Sequence, residues 1–462
     1  MMNEGGVRMG EKEPLLPRWA KVLLIILGLL IFGVGGTWLV LDITTRDALE
    51  AELAQVRAKG WPTEAEDLYP ESIPASENAA LVYGQAFASF QGTEEDWSLI
   101  WGITSPEDLE ALTDEQRTQL EACLEENAPA LELLHQAAQM KQCQFDLDYR
   151  MGPVMLTPHT EPLREAVRLE RTAMLVSLKA GKSEQAFERW LDSLRTVRHQ
   201  EGQKVLMCEL SRLACLSICL DALEALVGNG ELTEAQLSRA LDALQGIEGR
   251  DSFTGSLKGE LASFRQLFRL GIEQAFLPGR GSRAPEYRLK KLVLRPLFQH
   301  DEATGIRLLS QLIDLSMQPR YHVRQQLAQL GSSLNTRPWL TPLSAMLLPA
   351  LSKSLDSFAY AEASAACART GVALELHRLS RGDYPDALSG LAPDLLPEVP
   401  LDPFDGKPLR YIKSAERLAV YSVGLDLQDD GGSEEKGVWG RPKDIVFTLR
   451  RAPEPTEETD GE

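Results

Sequence analysis

Residues 22–41 read VLLIILGLLIFGVGGTWLVL, a run of twenty residues without a charge. An α-helix rises 1.5 Å per residue, so a helix of this length crosses a hydrocarbon core about 30 Å thick. Trp19 and Trp38 lie near the two ends of the run, where aromatic rings favour the headgroup region of a bilayer. The stretch therefore predicts one membrane-spanning helix.

The charges beside the run predict its orientation. Arg18 and Lys21 precede it, whereas Asp42 and Asp47 follow it. Basic residues near a span stay on the cytoplasmic side of the membrane, so residues 1–21 are expected to form a cytoplasmic leader. The rest of the chain is then extracytoplasmic.

A secretory signal peptide is the alternative interpretation of the same stretch. Gly36 is small enough to precede a peptidase site at Thr37. The apolar run continues to Leu41, however, and is longer than the apolar region of a usual signal peptide. We therefore expect an uncut anchor.

The composition outside the membrane run is that of a globular protein. The chain has 462 residues, of which 44% are hydrophobic and 25% charged, and this length suggests two or three domains. Asp and Glu number 68 against 48 Lys and Arg, and the net charge is -20. Such a balance disfavours a general nucleic-acid binder, which needs a basic surface. The six cysteines are too dilute for a small disulfide-stapled fold.

A stalk and a neck are predicted over residues 42–77, between the membrane and the body. Leu49, Leu53 and Val56 recur at helical spacing, so the anchor helix should continue beyond the bilayer. Pro62 then ends the helical pattern and begins a proline-punctuated, extended neck.

Residues 78–349 are predicted to form a helical extracytoplasmic domain. Ser105, Thr113 and Thr233 each have the sequence context of a helix N-cap. Apolar residues recur every three or four positions in neighbouring stretches, such as Leu163, Val167, Met174 and Leu178, followed by Phe187, Trp190, Leu191 and Leu194. Successive antiparallel pairs indicate helical hairpins arranged as a solenoid-like body or an irregular bundle, although no fixed repeat period is visible.

Two short motifs in this region have competing interpretations. Gly181, Lys182 and Ser183 match the end of a phosphate-binding loop, but that loop needs glycine where Val176 stands, so a helix C-cap and a new helix start explain them better. Three thiols on one helix face offer a soft-metal site, whereas buried structural cysteines are the favoured interpretation. These thiols belong to Cys208, Cys215 and Cys219.

A basic stretch lies near the end of the helical domain. It offers a contact for anionic lipid or an acidic partner, and a solvated loop is the favoured alternative. Its basic residues are Arg280, Arg283, Arg288, Lys290, Lys291 and Arg295.

A small α+β module is predicted over residues 350–451. A long alanine-rich helix covers 359–379 and ends before Gly382. Three short β-prone runs follow, at 409–412, 418–422 and 445–449, and should form an antiparallel sheet against the helix. The acidic, proline-bearing tail 452–462 is expected to be disordered.

The module carries an ordered set of motifs. These are G-D-Y-P at 382–385, L-D-P-F-D-G-K-P-L-R-Y at 401–411, V-Y-S-V-G-L-D at 420–426 and D-I at 444–445. In their order they resemble the C-terminal domain of the major pseudopilin of bacterial type II secretion systems. The resemblance covers about residues 355–449 and implies a bacterial inner-membrane location.

The resemblance also implies a structural calcium ion. Its carboxylate ligands would be Asp426, Asp430 and Asp444, with backbone carbonyls such as that of Leu425. Calcium prefers six to eight hard oxygen ligands, and this acidic segment offers oxygens without histidine or cysteine. An acidic solvated turn without a metal is the alternative.

The chain departs from the family pattern at two places. Pro442 stands where the family has a second acidic residue, and Lys443 is next to Asp444. The N-terminal helix also lacks the leader ending in glycine and the buried glutamate of pseudopilins. Incorporation into a pilus is therefore not expected.

Sequence signatures of catalysis are absent. No G-x-S-x-G, H-E-x-x-H or G-x-G-x-x-G motif occurs, and the six histidines are scattered. We expect a non-catalytic, membrane-anchored protein that acts in cell-envelope assembly or secretion through contacts with other envelope proteins. A helical binding module for an envelope ligand is the alternative, and an uncharacterised hydrolase is a third.

Overall fold

One unbroken helix, α1 (Arg18–Ala58), contains both the membrane-length run and the start of the body. The structure is a computed structural model that describes residues 17–229, 232–270, 292–319, 321–323, 326–327, 329, 340–437 and 440–451. Within this part of the chain, the segment Trp19–Ala58 is the one helix long and apolar enough to cross a membrane. Residues 1–16 of the predicted cytoplasmic leader 1–21, most of the basic stretch and the tail 452–462 lie outside the described residues.

The described body is mainly helical. Its helices are α2 (Ala79–Ala88), α3 (Glu94–Gly102), α4 (Pro106–Glu110), α5 (Asp114–Glu126), α6 (Ala128–Ala138), α7 (Thr160–Lys179), α8 (Ser183–Arg198), α9 (Leu206–Asn229), α10 (Glu234–Ala243), α11 (Arg250–Leu270), α12 (Arg295–Ser316) and α13 (Pro342–Arg381). Capping boxes begin α4, α5 and α10, as the sequence predicts, because Ser105, Thr113 and Thr233 each accept a backbone N–H from the third helical residue.

The second half of α1 is a core element of the body. Leu49, Leu53 and Val56 are buried in the main hydrophobic cluster. The helix continues beyond residue 41, as the sequence predicts, and the apolar face of these turns packs inside the body. The predicted neck also folds back onto the body, where a 3₁₀ turn, Ala65–Leu68, buries both of its end residues.

Helix α12 packs alongside α1 and runs in the same direction. Side-chain contacts connect the two helices in matching order along their lengths. These contacts join Asp42 to Arg295, Thr45 to Gln299 and Lys59 to Asp314, the last two at 2.8 and 2.7 Å. Because the order is the same on both helices, α12 begins beside the end of the apolar run of α1 and runs along α1 through the body.

Helix α11 packs against α12 in the opposite direction. Thr254 Oγ1 lies 3.1 Å from Ser316 Oγ near the far end of α12, and Arg265 Nε donates to Glu302 Oε1 at 3.3 Å closer to its start. Helix α11 therefore runs toward the end of the body that lies beside the apolar run of α1. Only a glycine fits at position 305 of α12, where an added Cβ would lie 2.2 Å from the Phe264 ring.

Helices α7 and α8 form the predicted hairpin, and α9 packs against both of them. Gly181 adopts a φ of +72° in the turn between α7 and α8, so the residues that resemble a phosphate loop form a helix-to-helix turn. Trp190 is buried and donates its indole N–H to the Cys219 carbonyl at 2.9 Å. Cys208, Cys215 and Cys219 are buried free thiols, as the favoured interpretation predicts.

A buried arginine, Arg212, joins α9 to the loop before α11. Arg212 and Glu209 both have side chains without solvent exposure, and Arg212 Nη2 donates to Glu209 Oε1 at 2.7 Å. Arg212 also donates to the carbonyls of Ile247 and Glu248, at 3.0 and 2.6 Å. These partners satisfy a charge that would otherwise be costly to bury.

A three-stranded antiparallel sheet completes the fold. Its order is β1 (Arg410–Lys413), β2 (Arg417–Ser422) and β3 (Ile445–Arg451), so the predicted strands are confirmed to within two residues at each end. Phe447 of β3 covers Gly371 of α13, where an added Cβ would lie 2.3 Å from the ring.

Helix α13 runs through the predicted domain boundary at residue 350. It starts in the helical body, where the Asp301 carboxylate accepts from the backbone N–H groups of Leu343 and Ser344 at 2.9 and 3.1 Å. It ends under the sheet of the C-terminal module. The body and the module therefore share one helix, in contrast to the predicted division.

Candidate functional site

Asp402, in the loop before β1, is the polar centre of the C-terminal module. Its carboxylate is fully buried and accepts from the backbone N–H of Phe404 and Val423, both at 2.9 Å. It also accepts from Ser422 Oγ at 2.9 Å and from Arg410 Nη1 at 2.6 Å. Burial raises the pKa of Asp402, and these four donors oppose that effect by stabilising the charged form.

The arrangement around Asp402 is structural. Arg410 also contacts Asp405 and lies 3.8 Å from Asp429, so one guanidinium connects three carboxylates. Through Asp402, the motif at 401–411 connects the loop before β1 to the end of β2. The bond from the Phe404 backbone N–H to Asp402, two residues earlier, is a local turn-stabilising contact, whereas the contacts to Arg410, Ser422 and Val423 depend on the fold.

Asp444 is the predicted ligand that the structure places most deeply. Its Oδ2 accepts from the backbone N–H of Gly432 and Ser433, at 2.8 and 2.9 Å. Its Oδ1 is buried and has no hydrogen-bond partner among the described residues. Burial raises the pKa of the Asp444 carboxyl, and the backbone donors partly reverse this shift. An unpaired buried carboxylate oxygen is an acceptor that a cation or water would satisfy.

Asp426 and Asp430 lie on the loop that Asp444 closes. Asp426 Oδ1 accepts from the Gln428 backbone N–H at 3.0 Å. Asp430 Oδ1 lies 4.0 Å from the Lys443 ammonium, which also bonds Glu435 at 2.8 Å. The fold thus brings the three predicted aspartates to one loop. Within the described part of the chain, however, no group of three or more His, Cys, Asp or Glu side chains is placed to hold a metal ion.

Lys443 places a positive charge beside Asp430, one of the three predicted calcium ligands. Its ammonium faces Glu435 first and Asp430 next, and both raise the pKa of Lys443. The donor set therefore fits a cation only in part: the free Asp444 oxygen favours one, and the neighbouring ammonium opposes it.

A second polar cluster lies between α6, α7 and α8. His135 Nδ1 is 2.5 Å from Asp192 Oδ2, and Asp192 Oδ1 accepts from Gln139 and Arg195, both at 2.8 Å. Glu170 is buried beside them and pairs with Arg189 at 3.0 Å. Sequence analysis missed this cluster because its members come from three helices, and no local motif marks them.

The cluster is closely packed, and two of its groups have shifted pKa values. Burial raises the pKa of Glu170 to about 7, while Asp192 raises the pKa of the half-exposed His135. The space among Leu134, Ala166, Glu170 and Thr196 is too small to hold a water molecule. The residues therefore form a packed, charge-bearing core.

A groove open to solvent lies between α3, α4 and α5. Its volume is about 650 Å³, and both apolar and polar side chains line it. Leu99, Ile103 and Leu112 form the apolar floor, and Glu95 and Gln116 are among the polar residues.

The chain matches no family model, no curated protein and no solved structure.

We expect Glu170 to make stability depend on pH. A carboxyl whose pKa rises from 4.5 unfolded to about 7 folded contributes stability below pH 4.5 that is lost as the pH rises toward 7. Glu170→Gln should remove this loss, so the wild-type chain should weaken relative to the variant by roughly 2–3 kcal/mol across that window. The measurement is denaturant unfolding from pH 4.5 to 8.

The exposed Glu121 on α5 provides the control. Glu121→Gln should keep the wild-type pH profile. Equal profiles for the wild-type chain and Glu170→Gln would contradict the assignment.

Proposed function

We propose that the chain is a single-pass, membrane-anchored extracytoplasmic protein of the bacterial inner membrane, with its N-terminus in the cytoplasm. It acts without catalysis in cell-envelope assembly or secretion, through contacts with other envelope proteins. The observation that carries the proposal is the division of α1 into an exposed apolar half and a half packed in the body.

The two halves of α1 match two different solvents. Leu29 and Phe32 are 66% and 81% exposed, whereas Leu53 and Val56 are each 1% exposed. Contiguous exposed apolar surface of this extent is rare on soluble monomers, since each Å² costs about 25 cal/mol in water. A bilayer around the first half relieves that cost.

The architecture of the C-terminal module supports its resemblance to the C-terminal domain of pseudopilins. A long helix leads through a loop into a three-stranded antiparallel sheet that packs on the helix. In the proposed site, Asp426, Asp430 and Asp444 would hold calcium with the Leu425 carbonyl, and the ion would tie the acidic loop to β3. The unpaired Asp444 Oδ1 supports this part of the proposal.

The second candidate function is a helical binding module for an envelope ligand. The groove between α3, α4 and α5 favours it, because an apolar floor with polar residues beside it is typical of recognition surfaces.

The topology can be tested in intact bacterial cells. After the outer membrane is permeabilised, added protease should degrade the body, while an N-terminal epitope stays protected. Leu30→Arg with Val34→Arg is the matched variant, since both side chains are exposed in the structure and each arginine costs about 3 kcal/mol at a span centre. The variant should lose its membrane fraction. A wild-type body that resists the protease, or that fractionates as soluble, contradicts the anchor.

Calcium binding can be tested by thermal unfolding of the full-length chain in detergent. Millimolar Ca²⁺ should raise Tm by several degrees relative to chelator, because ligands that bind only the folded state stabilise it. Asp444→Asn keeps an oxygen for the two backbone donors but removes the charge, so it should abolish the shift. Asp394→Asn, at an exposed carboxylate, should keep the shift. Identical wild-type curves with and without calcium would remove the ion from the proposal.

Protein contacts can be tested by affinity capture of the full-length chain from cross-linked, detergent-solubilised membranes. The proposal expects recovery of secretion or envelope-assembly components. Glu95→Arg with Gln116→Arg alters exposed groove residues and leaves the core intact. Recovery that survives this variant supports the first function, and recovery that it abolishes supports the second. No recovered component at all contradicts both.

A further inference from the structure

The start of α12 is fixed to the end of the apolar run of α1 by an ion pair between the buried Asp42 and the half-exposed Arg295. Arg295, the first residue of α12, donates from Nε to Asp42 Oδ1 at 2.5 Å, and its Nη2 contacts the second carboxylate oxygen. Asp42 is 3% exposed. Its charge is thereby compensated directly after the apolar run ends at residue 41.

A second contact lies one helical turn deeper. The Trp38 indole donates to the Val293 carbonyl at 3.1 Å, and the Arg295 guanidinium lies 5.5 Å from the Trp38 ring centre. Trp38 precedes Asp42 by four residues, which is about 6 Å along a helix axis. Val293 is therefore held at the depth of the last turns of the apolar run.

The residues at this depth are apolar and exposed. Leu292, Val293 and Leu294 are 49%, 55% and 41% exposed, and the first charged residue after them is Arg295. Three consecutive apolar side chains left open to water are unfavourable, whereas the same side chains beside a span enter the boundary between headgroups and acyl chains. Trp38 is also of the residue type that favours this boundary.

We infer that Leu292, Val293 and Leu294 form a second lipid contact, inserted in the extracytoplasmic leaflet of the bilayer that holds α1. The inference rests on the proposed membrane anchor. The occupant is lipid because the three residues continue the exposed apolar surface of α1 at the same depth, through the bond from Trp38 to Val293.

This contact sets the orientation of the whole body. A single helix in a bilayer tilts and rotates, and neighbouring interfacial residues fix both angles. Two lipid contacts joined by the Asp42–Arg295 pair would hold α1 and α12 at one angle to the membrane. The far end of the body would then stand at a fixed height above the lipid surface.

The test places one fluorescent probe on the full-length chain in phosphatidylcholine–phosphatidylglycerol nanodiscs. Cysteine replaces Leu292, and a nitrobenzoxadiazole label is attached in a Cys143→Ser background, since the other five native cysteines are buried. Nitroxide groups on lipid acyl chains, near the headgroup or deep in the bilayer, then quench the probe according to its depth.

Leu401 provides a matched control because it is also 49% exposed. Its neighbour Pro403 accepts from the Tyr321 backbone N–H, beyond the far end of α12. Helix α12 has 22 residues, which places this point about 33 Å from its membrane end. Leu30→Cys, inside the apolar run, reports the anchor itself.

The expected result is deep quenching at position 30 and, at position 292, shallow quenching several-fold stronger than at position 401. Quenching at 30 with equal, weak signals at 292 and 401 overturns the second lipid contact and leaves the anchor standing. Absence of quenching at position 30 overturns the anchor, and the second lipid contact fails with it.

Discussion

The contact between α1 and α12 is held by paired polar side chains on two parallel helices. Asp42 and Arg295 meet beside the end of the apolar run of α1, and Lys59 and Asp314 meet near the C-terminal ends of both helices. Between them, Leu49, Leu53 and Val56 bury the apolar face of α1 in the main core. The apolar side chains in the first half of α1 are exposed and do not pack in the body. Helix α1 therefore connects the body to an exposed apolar segment, and a bilayer is the environment that suits such a segment.

Helix α13 extends this continuity to the C-terminal module. It starts beside Asp301 of α12 and ends under the sheet, where Phe447 packs on Gly371. One helix therefore connects the module to the pair formed by α1 and α12. The module itself is closed by Asp402, which joins the loop before β1 to the end of β2 through four donors.

Charged groups buried in the helical body have a different role. Arg189 of α8 pairs with Glu170 of α7, and Arg212, which pairs with Glu209 on α9 itself, also bonds the carbonyls of Ile247 and Glu248. Each of these charges loses water and needs a specific partner. Such pairs add little net stability compared with apolar packing, but a mispaired helix would leave a charge buried alone. They therefore favour one arrangement of a leucine-rich bundle over its alternatives. The raised pKa of Glu170 is a consequence of this burial.

The sequence by itself determined the features that depend on neighbouring residues. The apolar run of α1, the caps at Ser105, Thr113 and Thr233 and the three strands follow from hydrophobicity, capping and β-propensity within a few residues. Only the tertiary structure decided that the predicted stalk lies in the core and that α13 crosses the predicted boundary. It also decided the pairs Asp42–Arg295 and His135–Asp192, which are 253 and 57 residues apart. These pairs follow from the way whole helices pack, and packing minimises exposed apolar area and unpaired charge over the entire chain, which no local pattern records.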